Sequence, residues 1–197
     1  MIGRWWAVVL AAGLALAGVV PARAADGPGA AHNSGMTGNL NLLAGVKLLD
    51  EDDWSPNEGQ AEGGVSLDVR NASSILGFEV RLLSSESEVH NVFLVGPTSA
   101  ETTEVAFGLR LTFTYEPNLR TYLAGGPVYI DARLKRPSGT TSGNGNGVWL
   151  AGGIYWILGG RVNLGADVML SGADVDLNGT EVKGGGAHLH LLLGFHF

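Results

Sequence analysis

From Asn39 to the C-terminus, apolar and polar residues alternate with period two, and no helical period persists. The first segment, Asn39–Leu49, sets Leu40, Leu42, Ala44, Val46 and Leu48 against Asn41, Gly45 and Lys47. The second, Glu62–Arg70, opposes Val65, Leu67 and Val69 to Ser66, Asp68 and Arg70. The third, from Ile75, sets Leu76, Phe78, Val80 and Leu82 against Gly77, Glu79 and Arg81. The fourth, Thr102–Tyr115, opposes Val105, Phe107, Leu109, Leu111, Phe113 and Tyr115 to Glu104, Ala106, Gly108, Arg110, Thr112 and Thr114. The fifth, Arg120–Leu134, reads as an apolar face of Tyr122, Ala124, Val128, Ile130 and Ala132 against Gly125, Pro127, Asp131 and Arg133. The sixth, Val148–Leu158, is ambiguous, with Val148, Leu150, Ile154 and Trp156 on one face and Trp149 and Tyr155 on the other. The seventh opposes Val162, Leu164, Ala166, Val168 and Leu170 to Asn163, Gly165, Asp167 and Ser171. The eighth opposes Ala187, Leu189, Leu191, Leu193, Phe195 and Phe197 to His188, His190, Leu192, Gly194 and His196.

This pattern predicts an all-β fold: an eight-stranded antiparallel up-and-down transmembrane barrel, in which ~9–11 tilted residues per strand cross the bilayer. The connections alternate. Residues 50–61, 84–101, 135–147 and 174–184 read as long polar loops, whereas Asn71–Ser74, Glu116–Leu119 and Gly159–Arg161 are short. Long loops outside and tight turns in the periplasm are the outer-membrane arrangement.

Magnitudes decide which face meets lipid. With the polar face outward, Lys47, Asp68, Glu79, Arg81, Arg110, Asp131, Arg133 and Asp167 would enter the hydrocarbon. Each basic residue there costs roughly 2–4 kcal/mol, and together the charges would exceed a typical stability of ~5–15 kcal/mol. The apolar face is therefore expected outward, opposite to a soluble ligand-binding barrel. Phe113, Tyr115, Tyr122, Trp156, Phe195 and Phe197 then form an aromatic girdle at the periplasmic rim.

Composition adds a compartment. Met1–Ala24 has Arg4, an apolar run from Ala7 to Val20 and an Ala22-Arg23-Ala24 cleavage site, the pattern of a secretory signal peptide. Residues 25–38 read as a flexible tail, leaving 39–197 for the barrel. The formal charge of −7 argues against nucleic acid as a partner. Absence of cysteine excludes disulfides and thiolate chemistry. Only 16% of residues are charged, against about 25% in soluble domains, and glycine is abundant at 31 residues.

With its leader, its eight alternating segments and the final AHLHLLLGFHF, the chain resembles the OmpA/OmpX-type outer-membrane barrels over Asn39–Phe197, without an appended periplasmic domain. The alternation closing on Phe195 and Phe197 resembles the C-terminal signal read by the barrel assembly machinery. The resemblance implies residence in the Gram-negative outer membrane, contact with lipid and lipopolysaccharide, and roles such as envelope structure, adhesion or solute leakage.

The candidate chemistry is weaker. An eight-stranded barrel is only wide enough for side chains to fill. Lys47, Arg81, Arg110 and Arg133 are therefore expected to pair internally with Asp68, Glu79, Glu104, Asp131 and Asp167 as a polar plug. Glu79–Arg110 is the favoured pair. The alternative is a narrow pore switched by Glu79, Arg81, Arg110 and Asp167. His188 and His190 share the inward face and could serve a divalent metal or sense pH; lumen filling is the simpler reading, and no cofactor or metal ligand is assigned. A lipid A-modifying enzyme is the third and least favoured alternative. A serine hydrolase would need Ser, His and an acid together on the lipid face. No serine lies outward beside the strand histidines, and His90 lies in a loop of ordinary composition, so no catalytic residue is assigned either. The Asp50–Asp53 run lacks calcium-loop spacing. Asn178-Gly179 is a type I′ hairpin signal, and Gly143–Gly147 lacks the lysine and helix of a phosphate loop and reads as a flexible loop. The expected function is that of a monomeric structural or surface-interaction protein, not an enzyme.

Overall fold

A computed structural model describes residues 35–89, 98–177 and 179–197. The leader, the tail as far as residue 34, His90 and Asn178 lie outside them. The strands are β1 (Met36–Leu49), β2 (Gly59–Asn71), β3 (Leu76–Val89), β4 (Thr98–Thr114), β5 (Leu119–Arg136), β6 (Gly139–Leu158), β7 (Val162–Leu177), β8 (Thr180–Lys183) and β9 (Gly186–His196), with a one-turn helix α1 (Glu51–Trp54) after β1. Eight of them run β6-β5-β4-β3-β2-β1-β9-β7, and a β6–β7 pairing closes the ring; β8 pairs with β7 alone. Closure leaves none of these eight strands with an open edge, the condition for β-structure in lipid.

The first strand begins earlier than its alternation suggests. Met36 to Gly38 pair with Asn71 to Val69, and Gly38 and Phe197 exchange backbone hydrogen bonds at 2.9 and 3.1 Å. The last three residues of the expected tail thus belong to β1, paired with β2 and, at Gly38, with the C-terminal residue. The long connections are also more ordered than expected. Residues 135–147 form the top of a β5–β6 hairpin turning at Pro137-Ser138, so Gly143–Gly147 is strand, not loop. β3 and β4 run on to Val89 and from Thr98, and β7 continues to Leu177 to form a small hairpin with β8. The glycine at 179 takes φ +87°, a backbone conformation that favours its missing Cβ.

Outward positions on most strands are aliphatic, as the energetic argument requires. Leu42, Val46, Phe78, Val80, Phe107, Leu109, Leu164, Val168, Leu189, Leu191 and Leu193 are all exposed on the outer wall. The sixth strand resolves with Val148, Leu150 and Trp156 outward and Trp149, Ala151, Tyr155 and Ile157 buried inside. The fifth strand is the reverse of the reading above. Tyr122, Ala124, Val128, Ile130 and Ala132 point into the barrel, while Leu123 and Tyr129 point out. Tyr122 therefore leaves the proposed girdle; Tyr115, Trp156 and Phe195 remain exposed on the outer wall at the turn end.

The reason lies in the length of β5. Its upper half stands above the aliphatic band, where the polarity rule inverts. There Ala100, Ile130, Ala132, Leu134, Val175 and Leu177 are buried within, and Glu86, Asp131, Arg133, Asp174 and Asp176 are exposed without. Trp54 of α1 is only 2% exposed and packs on this apolar cap. Its indole Nε1 donates to the Lys183 carbonyl at 2.7 Å. The acidic run serves this strap. Asp50 caps α1, accepting from the Asp52 amide, and pairs with Lys183 Nζ at 2.7 Å; Asp53 accepts the Lys183 amide at 2.9 Å.

Candidate functional site: the ion network of the lumen

Six of the eight charges singled out from sequence lie inside the barrel: Lys47, Asp68, Glu79, Arg81, Arg110 and Asp167, all buried. Asp131 and Arg133 do not. Both sit on the exposed outer wall with Ser84, Glu86, Glu101 and Thr103, and Arg133 is in register with Glu101. They tolerate that position because it lies above the lipid, where water replaces an internal partner.

The mid-barrel charges form one network. Arg81 Nε meets Glu79 Oε1 at 2.8 Å and its Nη1 meets Asp167 Oδ2 at 2.8 Å. The third donor, Nη2, reaches the Tyr122 hydroxyl at 3.0 Å, and that hydroxyl in turn donates to Asp167. Arg110 Nη1 lies 3.0 Å from Asp68 Oδ1 and 3.3 Å from Glu79 Oε2. Its guanidinium carbon stands 3.5 Å from the centre of the Tyr122 ring, a cation–π contact made dry by burial. Glu79 thus joins two arginines, and the Glu79–Arg110 pair expected from sequence is accompanied by Asp68. The inverted face of β5 makes room: Ala124 is the register partner of Arg110, and Trp149 lies opposite Gly126 with its indole donating to the Phe107 carbonyl at 3.1 Å.

Below this layer an amide belt fills the turn end. Asn39 Nδ2 donates to Asp68 at 2.8 Å, Asn163 Nδ2 donates to Asn39 Oδ1 at 2.8 Å, and Asn41 Nδ2 donates to Ser66 Oγ at 3.2 Å. His196 Nδ1 also lies 2.8 Å from Asn39 Oδ1. Above it, Lys47 Nζ is held by Glu104 at 2.5 Å, Thr102 Oγ1 at 3.0 Å and the Gly184 carbonyl at 3.0 Å.

The histidines gain a carboxylate that alternation alone did not place. Glu62 Oε2 lies 2.8 Å from His188 Nδ1 and 2.8 Å from His190 Nε2. Register explains the meeting. Gly45 of β1 is paired with Glu62 on one side and His190 on the other, and with no side chain between them the two meet across it. Counting residues back from Val65 on the second strand assigns Glu62 inward; what the sequence lacked was the register that sets it beside β9. Ser171 Oγ lies 2.9 Å from His188 Nε2. A Ser–His–carboxylate sequence of contacts therefore exists, but its hydroxyl belongs to the lumen side of β7, away from the lipid face where an acyl chain would lie.

The chain matches the family model for the outer membrane protein beta-barrel domain over residues 12–195. Solved structures of similar fold include the attachment invasion locus protein Ail of Yersinia pestis (TM-score 0.56, 13% identity, covering 83% of this chain and 99% of that one). Neisserial surface protein A is similar at TM-score 0.58 with 12% identity, over 82% of this chain and 95% of that one. The outer membrane protein OprG of Pseudomonas aeruginosa is similar at TM-score 0.57 with 11% identity, over 84% and 97% of the two chains. No curated protein matches the sequence.

Proposed function

This chain belongs to the outer membrane protein beta-barrel domain family, and from that premise we propose that it is a non-conducting barrel with a structural or surface-interaction role. The observation that carries the reading is the lumen itself. Arg81 is 0% exposed and Arg110 2%, and each is held by two carboxylates from different strands. Opening a water path past them means separating buried ion pairs, at several kcal/mol for each charge left alone. A second barrier is the packed cluster of Ile130, Leu134, Val175, Leu177 and Trp54 at the outer end, which fills the interior beside the hydrogen-bonded Gln60, Ser85 and Thr102. The lateral surface fits outer-membrane lipid, and the polar walls above the aliphatic band fit lipopolysaccharide and surface partners. The barrel is proposed to act as a monomer, exported by its leader and inserted by the barrel assembly machinery through Phe195 and Phe197. No catalytic role is included.

Planar-bilayer recording on the folded protein tests this directly. Baseline current over long recordings is the expected result. A steady ohmic conductance from the unmodified barrel would replace the plug with a narrow pore gated by Glu79, Arg81, Arg110 and Asp167.

A further inference from the structure

We propose that Glu62, His188 and His190 form a site for one divalent first-row transition ion of the zinc type inside the barrel. One ligand atom from each of the three lies within 4.8 Å of the others. His188 Nδ1 and His190 Nε2 both converge at 2.8 Å on the same Glu62 oxygen. Ligand atoms bound to one ion at ~2.0–2.2 Å stand about 3 Å or a little more apart, so admitting an ion requires only a slight expansion. Imidazole and carboxylate are the donor set that zinc and its neighbours prefer.

The outer contacts of each ring point the same way. A metal-binding histidine almost always gives its second nitrogen to an oxygen, which fixes the ring and its tautomer. His190 does this with Nδ1, 2.8 Å from Asp167 Oδ1. His188 does it with Nε2, 2.9 Å from Ser171 Oγ, whose oxygen also accepts the Gly186 amide at 3.2 Å. Each ring is thus anchored at one nitrogen and directed to Glu62 with the other. The second carboxylate oxygen, Glu62 Oε1, is buried without a hydrogen-bond partner and is available as a further ligand.

Charge supplies an independent argument. Among the described residues, the buried charged groups are the carboxylates of Glu62, Asp68, Glu79, Glu104 and Asp167 against the fixed cations Lys47, Arg81 and Arg110. Lys47 is committed to Glu104, and Arg81 and Arg110 to Glu79, Asp167 and Asp68. Among the described residues, Glu62 is the buried carboxylate whose ion-pair partners are histidines and not lysine or arginine. The lumen falls two positive charges short of neutrality, the charge of one divalent ion, and Glu62 is where that charge is missing. Burying uncompensated charge is costly, so the ion is expected to contribute to folding itself.

The test loads the chain with ZnCl2 while it folds into detergent micelles, removes loose metal on a chelating column, and measures zinc by elemental analysis. About one ion per barrel is expected, with a raised unfolding midpoint relative to protein folded in chelator. Loading with Co²⁺ instead should give visible ligand-field absorption. His188→Gln with His190→Gln should lower retained zinc at least about tenfold, while His196→Ala retains it. Should the double variant fail to fold, Glu62→Gln keeps both imidazoles and the size of the side chain, and gives the same reading. A folded unmodified barrel that retains no zinc and shows no Co²⁺ spectrum overturns the proposal, as do ligand variants that bind as well as the parent.

Discussion

Replacing Arg110 by alanine removes the cation that stands between Asp68 and Glu79 over the Tyr122 ring. The guanidinium lies 3.0 Å from Asp68 and 3.3 Å from Glu79, and 3.5 Å above the Tyr122 ring. Breaking a buried pair from one side costs ~3–5 kcal/mol, because the remaining charge is stranded. Here the two carboxylates keep other partners: Asp68 retains the Asn39 amide at 2.8 Å and Glu79 retains Arg81 at 2.8 Å. That places the electrostatic loss near the lower bound, about 3 kcal/mol, and the lost cation–π contact adds up to about 2 kcal/mol in a dry site. Against a stability of ~5–15 kcal/mol, the effect is large. Urea titration of the micelle-folded barrel, read by the different gel mobility of folded and unfolded chain, measures it. Lys135→Ala is the control, since its pair with Glu101 is exposed and such pairs contribute ~0–1 kcal/mol. Adding Asp68→Asn to Arg110→Ala should recover part of the loss, because it removes the stranded charge. An Arg110→Ala barrel as stable as the Lys135→Ala control would refute the network as a source of stability, and additive losses in the double variant would refute the pairing.

The other expectations probe the cap, the seam and the strap. Trp54→Ala should destabilise the barrel by roughly 3–5 kcal/mol, the usual cost of emptying a buried aromatic site, and leave conductance at baseline because the ion network below it is intact; a channel in this variant would move the barrier to the cap. Deleting Phe197 removes a backbone pair with Gly38 and the hydrogen bond from Thr37 Oγ1 at 2.9 Å, so the amount of folded protein in outer-membrane fractions should fall, and unchanged levels would count against an assembly role. The Lys183 ammonium beside Asp50 holds that carboxyl below the usual carboxylate range, and Asp50 holds Lys183 above the usual lysine value. The strap's stabilisation is therefore present at neutral pH, lost as pH falls through the folded value of Asp50, and lost again as pH rises through that of Lys183; protection of the Lys183 amide, held by Asp53, should follow that window, and protection constant across it would show that the pair contributes nothing.

Most of the barrel was legible because period two is a strong signal when one face meets lipid. At membrane depth on β1, β3, β4 and β9 most aliphatic residues fall on one side and the charged residues and histidines on the other, with Leu43, Leu83 and Leu192 as inward exceptions, so facing follows from the charged positions. β5 defeated that reading because its two faces are both rich in apolar residues. Tyr122, Ala124, Val128 and Ile130 resemble a lipid-facing row, yet they pack the interior beside Arg110, Trp149 and the outer cap. Leu123 and Tyr129 on the opposite face carried the correct signal but were outnumbered. Glu62 was missed for another reason. Its partner histidines lie 126 and 128 residues away, and only the β1 register, with Gly45 between, joins them. Facing is a local property of sequence, whereas adjacency across a closed barrel depends on stagger, which alternation does not encode.

The misread strand also explains how one chain can satisfy two solvents. β5 has 18 residues, about 60 Å of strand at the usual rise and about 45 Å along the axis at a tilt near 40°. The apolar band of such barrels is only about 25 Å tall, so the upper part of β5 must stand in water. Side-chain direction cannot change along a regular strand without a bulge. The inward row of β5 therefore continues from membrane depth to the outer end, and the composition of its two faces must change instead. At membrane depth the interior can be polar because the ion pairs satisfy one another, while the exterior must be aliphatic. Above the membrane the outer wall must be polar, as Asp131, Arg133, Asp174 and Asp176 make it, and the interior can then carry apolar packing, as Ile130, Leu134, Val175 and Leu177 supply beside the hydrogen-bonded Gln60, Ser85 and Thr102. A wholly polar lumen would have needed partners for every buried charge over the full height. Ending it under an apolar cap confines the charged interior to the segment where strands from all sides can pair its members, and it places the barrier to ions at the outer mouth as well as at Arg81 and Arg110.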